Sequence, residues 1–140
     1  MYKEFYTELS RRLRAEQIES AVAGDNRLEV SLGGQPVLSV SAGAGVVILP
    51  AGSGSEDVSE LYHRVAGTTD EVYEYVEAVR NAPVLRAADL HEEFRLLADF
   101  GGAVLAGRER GPGQGYQFVT WVWDFDRLGV SHGHYYEGNY

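Results

Sequence analysis

Tyr2, Phe5, Tyr6, Leu9 and Leu13 recur at spacings of three and four with charged residues between them. That period predicts an amphipathic helix over roughly the first twenty residues. The pattern then changes. Leu28-Glu29-Val30-Ser31-Leu32 alternates, Gly33-Gly34 interrupts, and Val37-Leu38-Ser39-Val40 resumes the alternation. A glycine pair tolerates the positive φ of a tight hairpin turn, so two antiparallel strands are predicted. Val46-Val47-Ile48-Leu49 has no polar position, which predicts a third strand covered on both faces and central in its sheet.

Pro50 to Ser55 reads as a turn, after which Val58, Leu61, Tyr62 and Val65 return to helical spacing until Gly67 offers a stop. Thr68 with Glu71 three residues later has the form of a capping box. Val72, Tyr75, Val76 and Val79 then supply a second stripe that Asn81-Ala82-Pro83 closes, so a central helical pair is predicted. Farther on, Phe94, Leu96, Ala98 and Phe100 alternate with Glu93, Arg95, Leu97 and Asp99, and Gly101-Gly102 turns the chain toward Val104 and Leu105. Two more strands follow a polar loop over 110–115, one from Tyr116 to Phe125 and one from Val130 to Glu137. The order α-βββ-αα-ββββ predicts an α+β fold with mainly antiparallel sheet, in a single compact domain over residues 1–140.

Composition narrows the chemistry. The 140 residues include no cysteine, which excludes disulfides, thiolate zinc sites, iron–sulfur clusters and a thiol nucleophile. A net charge of −9 opposes binding to a phosphate backbone, so no nucleic-acid partner is expected. The N-terminus lacks the apolar run and small-residue cleavage site of a secretory signal, and is expected to belong to a mature cytoplasmic chain. Val30 to Ser55 carries no charge, but Gly, Ser, Pro and Gln interrupt it. Short strands account for it, and no membrane span is expected.

Two segments stand out as sites. The first is Tyr116 to Phe125, which alternates Tyr116, Phe118 and Val122 on one face with Val119, Trp121, Trp123 and Phe125 on the other. Either both faces are covered, or one aromatic face is left as a partner-binding surface. The second is His132-Gly133-His134. Strand residues two apart share a face, so these imidazoles are metal-ligand candidates, with Asp124, Asp126, Glu137 or His91 as a third ligand. If Phe125 pairs with Val130, Trp123 faces His132 and Trp121 faces His134, and a slip of one residue reverses that.

The other motifs read as structure. Gly52-Ser53-Gly54-Ser55 lacks a following lysine and precedes Glu56 and Asp57, so it is a capped turn and no phosphate cradle. Arg11, Arg12 and Arg14 have Glu4, Glu8, Glu16 and Glu19 as helix neighbours and form an ion-paired face. Asp70, Glu71, Glu74 and Glu77 read as solvated helix, and His63 lies off the apolar stripe. Ser131 beside His132 lacks the nucleophile-elbow context of a triad.

Phe118-Val119-Thr120-Trp121 and Gly133-His134-Tyr135-Tyr136 resemble the tail of small uncharacterised domains carried by mobile elements of gut Firmicutes. The resemblance covers about 25 residues, a span too short to carry a catalytic role by motif alone. It implies a cytoplasmic location and an accessory role in such an element. Those domains continue into a short helix after this segment, so the chain is expected to be truncated or different past Tyr140. The element order is also similar to that of type III secretion chaperones, a likeness of fold only. The sequence therefore favours a cytoplasmic, non-enzymatic protein-interaction module without a cofactor, binding an unidentified protein through Trp121, Trp123, Tyr135, His132 and His134. The alternatives are a metal-dependent hydrolase using His132 and His134, and a chaperone-like homodimer.

Overall fold

The first stripe forms helix α1 (Lys3–Ala15), which buries Phe5, Tyr6, Leu9 and Leu13. The helix is shorter than its apolar period suggests. Gln17 adopts a left-handed conformation at φ 63°, its N–H donates to the Arg14 carbonyl (2.9 Å), and the Ile18 N–H donates to that of Leu13 (2.8 Å). These two bonds make a Schellman cap, closed by an apolar residue at Ile18, which is buried. A glutamine in the position glycine usually takes hides this stop from the sequence pattern.

The computed structural model describes residues 3–24, 26–85, 93–100, 103–110, 114–123 and 130–137, with 122–123 and 130–137 described by backbone only. The chain divides into two compact units, Met1–Glu74 and Tyr75–Tyr140. The α+β class and the antiparallel pairing are as the sequence predicts.

In the first unit, the chain leaves the cap directly into β1 (Glu19–Ala23), a strand the sequence pattern did not reveal, followed by β2 (Arg27–Leu32), β3 (Gln35–Ser41) and β4 (Val46–Ile48). They form one antiparallel sheet in the order β1-β2-β3-β4. The predicted hairpin is present: Gly33 and Gly34 both have positive φ, 62° and 83°, as a type I′ turn requires. Register aligns Val22, Leu28, Val40 and Val46 in one row and Ser20, Val30, Leu38 and Ile48 in another. Leu28, Val30, Leu38 and Val40 are buried, and the opposite face carries Ala21, Glu29, Ser39 and Val47. One residue of β3 is extra, because Val30 pairs with Leu38 while Ser31 pairs with Pro36. The extra Val37 is buried beside Leu38, which is why the alternation fails there. The apolar run over 46–48 proves to be an edge strand of three residues, with Val47 and Ile48 57% and 45% exposed. Its composition says apolar, but a strand so short has few neighbours to cover it.

A 3-10 turn, Pro50–Gly52, leads into α2 (Glu56–Asn81). A Cβ on Gly52 would lie 2.8 Å from Val58 Cγ1 and 3.0 Å from Val37 Cβ, so the close approach of turn, helix and bulge demands glycine. Ser55 caps α2, its Oγ accepting from the Val58 N–H at 3.3 Å. The predicted pair of helices is one helix. It runs through Gly67 without a break, and Thr68, expected at an N-cap, lies in its interior with its hydroxyl donating to Glu16 Oε2 at 2.7 Å. Tertiary contact to the end of α1 overrides the local stop signal. Val58, Leu61, Val65 and Val72 of α2 are buried and complete the core of the first unit with the α1 stripe and the inner sheet face.

The second unit holds β5 (Arg95–Asp99), β6 (Ala103–Glu109), β7 (Tyr116–Trp123) and β8 (Val130–Glu137), again antiparallel and in sequence order. No helix among the described residues is long and apolar enough to cross a membrane. The α1 cap yields a direct test. Gln17→Gly removes the Cβ strain of the left-handed position, a gain that exceeds glycine's extra unfolded-state entropy, and should stabilise the protein by about 0.5–1 kcal/mol in urea melts. A loss of stability would contradict the cap.

Candidate partner-binding edge of the second sheet

β7 is apolar on alternate positions of both faces, and both are covered. On one face, Tyr75 from the end of α2 packs its ring 5.3 Å from Tyr116 and 5.6 Å from Phe118, the latter edge-on at 77°. Gly107 of β6, register partner of Phe118, lets this layer close, because a Cβ there would sit 2.9 Å from the Phe118 ring. On the other face, Leu85, Phe94, Val104, Ala106, Val119 and Trp121 make one cluster, with Leu96 against it. Trp121 stacks edge-on to Phe94 at 4.8 Å, and the Arg108 guanidinium lies 5.3 Å above the same Phe94 ring. Of the two outcomes the composition left open, coverage of both faces holds for Tyr116 to Trp121.

Trp121 is therefore 6% exposed and belongs to the core of its unit. The remaining partner candidates are placed by register alone. Trp123 pairs with Val130, Val119 with Tyr135 and Thr120 with His134. Trp121, Trp123, His132, His134 and Tyr135 thus stand on the two adjacent strands at the β8 side of the sheet. The conditional register of the sequence reading, Phe125 against Val130, is displaced by two residues at Val130, which faces Trp123, and by one at His134, which faces Thr120 rather than Trp121.

One residue of β8 is also extra. Val122 pairs with Ser131 and Thr120 with His134, so two steps along β7 span three along β8, and the added position falls at His132-Gly133. An unbroken strand carries residues two apart to one face, and a bulge at this point interrupts that period. The proposed third ligands Asp124, Asp126 and His91 lie outside the described residues, and Glu137 pairs with Gln117 at the far end of β8. Among the described residues, no group of three or more His, Asp or Glu is arranged to hold a metal.

The two edges of the sheet differ. Beside β5, residues 83–85 run antiparallel to it: the Leu85 N–H donates to the Phe94 carbonyl and the Leu96 N–H to that of Pro83, each at 2.7 Å, with Val84 opposite Arg95. Arg95 Nη1 adds a bond to the Ala82 carbonyl at 2.9 Å, fixing the exit from α2. Residues 83–85 thus pair with the start of that edge, at Phe94–Leu96. β8, at the other end of the order, has β7 as its strand neighbour and no strand beyond it among the described residues. It is eight residues long and contains no lysine or proline, so the devices that discourage pairing along it are the bulge at His132-Gly133 and the charge of Glu137.

Sequence reasoning did not find two features of the first unit. The expected pairing of Arg11 with Glu8 is present, its Nε and Nη2 donating to the carboxylate at 2.9 and 2.8 Å, but Glu8 is 2% exposed, and it is this burial that the sequence did not show. Its signal was Glu8 standing beside Leu9 on the edge of the stripe. Thr68 and Glu71 contact α1, through Glu16 and, at 3.1 Å, Arg12, which no local pattern encodes. No family model, curated protein or solved structure matches the chain.

The position of Trp121 decides how it should be tested. Trp121→Ala leaves a cavity against Phe94 and should cost about 3–5 kcal/mol in equilibrium unfolding. A cost below about 1 kcal/mol, typical of surface substitutions, would contradict its placement in the core.

Proposed function

We propose that the protein is a binding module that acts through another protein, with the β8 edge and the aromatic and imidazole residues of β7 and β8 as its contact surface. The observation that carries this reading is the asymmetry of the second sheet. Residues 83–85 pair with one edge at Phe94–Leu96, while the eight-residue strand at the other has no strand beyond it among the described residues. An open edge offers a row of backbone donors and acceptors to an extended segment of a partner, and side chains at alternate positions supply selectivity. Trp123, Tyr135, His132 and His134 stand on the two strands nearest that edge. Trp and Tyr are the residue types that dominate binding energy at protein interfaces. An accessory role in a mobile element, implied by the resemblance of the tail, agrees with a protein that works by occupying another.

Site-specific photocrosslinking tests this reading. A photoreactive amino acid at position 135 should give a discrete adduct with one host protein in lysate of the source cell, and the same group at Glu60, on the exposed side of α2, should not. Adding charge to the edge with His132→Lys and His134→Lys should reduce the adduct at least tenfold, the direction in which edge charges act. Equal adducts from positions 135 and 60, or capture unchanged by the two lysines, would reject the β8 edge as the contact surface.

A further inference from the structure

We propose that α2 carries a latent break at Gly67-Thr68 that the end of α1 holds shut. Four observations meet at this point. Gly67 is exposed, and a Cβ built on it would meet nothing within 4 Å. Neither packing nor a positive φ requires glycine here, unlike Gly52 or Gly33. A glycine inside a helix lowers its stability relative to alanine, so the position weakens α2 with no gain in the closed structure. Thr69 is fully buried, and its hydroxyl has no hydrogen-bond partner among the described residues, a cost that opening of the helix relieves.

The remaining two observations concern what would form after the break. Thr68 and Glu71 have the spacing of a capping box: in a helix that starts at Thr68, its hydroxyl accepts from the Glu71 N–H and the Glu71 carboxylate reaches back to the Thr68 N–H. In the closed helix α1 engages both groups. Thr68 Oγ1 donates to Glu16 Oε2 at 2.7 Å, and Arg12 Nη1 lies 3.1 Å from Glu71 Oε1. Arg64, one turn earlier on α2, also reaches the Glu16 carboxylate and carbonyl, at 3.8 and 3.4 Å. The residues that would cap a second helix are thus tied to α1, and the Schellman cap at Gln17 fixes Glu16 in place to hold them.

The device has two states. In one, α2 is continuous and α1 occupies the box. In the other, α1 releases Thr68 and Glu71, the helix opens at Gly67, and the box closes on itself.

Amide hydrogen exchange on the full chain distinguishes this from a merely weak spot. In Glu16→Ala, amides 67–71 should exchange at least tenfold faster, while those of 59–63 and 76–80 keep their wild-type rates. The accelerated amides should respond little to low urea, since local opening exposes little surface. Gly67→Ala in the otherwise native chain should slow amides 67–71 about fivefold, the factor that alanine over glycine is worth in a helix. Combined with Glu16→Ala it should restore near-native rates. Uniform acceleration along α2 in Glu16→Ala would overturn the proposal. If that variant does not fold, Gly67→Ala decides alone: unchanged exchange at 67–71, or slowing spread equally over the helix, would overturn it as well.

Discussion

The second unit depends on one constraint: β7 is apolar on both faces, so both must be covered. An antiparallel strand usually leaves one face to water. Here Tyr75 covers Tyr116 and Phe118, while Phe94 and Leu85 cover Val119 and Trp121. The segment between α2 and β5 is therefore no passive connection. Its Leu85 and Phe94 supply part of a hydrophobic layer, and residues 83–85 pair with the start of the β5 edge through two backbone bonds at 2.7 Å. Gly107 has no side chain for the same reason, since the layer over Phe118 has no room for one.

With both faces of β7 covered from Tyr116 to Trp121, the β8 edge is the surface proposed for a partner. Large aromatic residues in a sheet can build a core or contact a partner, and burial marks the first use. Trp121 is in the core. Trp123 and Tyr135 stand two residues nearer the loop end of β7 and on the outermost strand, respectively. The same logic separates the charged residues of the first unit. Arg11 closes on a buried Glu8, and Arg12 and Glu16 tie α1 to α2. A row of like-looking charges on one helix thus divides into contacts of different kinds.

What the sequence made legible, and what it did not, follows from range. The α1 stripe, the Gly33-Gly34 hairpin and the helix end before Pro83 are local signals, and each is present. The α+β class followed from them. Gly67 and Thr68 also send a clear local message, and contacts from Glu16 and Arg12, more than fifty residues away in the chain, override it. β1 escaped notice because Ser20, Ala21 and Ala23 give little alternation and because its entry turn uses glutamine where glycine is the usual marker. Bulges are the third kind of miss. At Val37 and at His132-Gly133 one extra residue shifts the period, and a pattern of period two has no means of announcing that. The candidate site was legible as a pair of strands and a set of residue types. Which tryptophan is buried, and where the histidines fall in register, are products of pairing.

The central claim is that β8 is an open edge of the second sheet. The most direct measurement is residue-resolved amide exchange by NMR on the free protein. In an antiparallel edge strand, alternate N–H groups bond inward and the others face solvent. The account predicts that β8 amides alternate between slow and fast exchange along 130–137, apart from the bulge, while those of β7 are slow throughout. Uniformly slow exchange along β8 would mean that the edge is already covered, and would contradict the account.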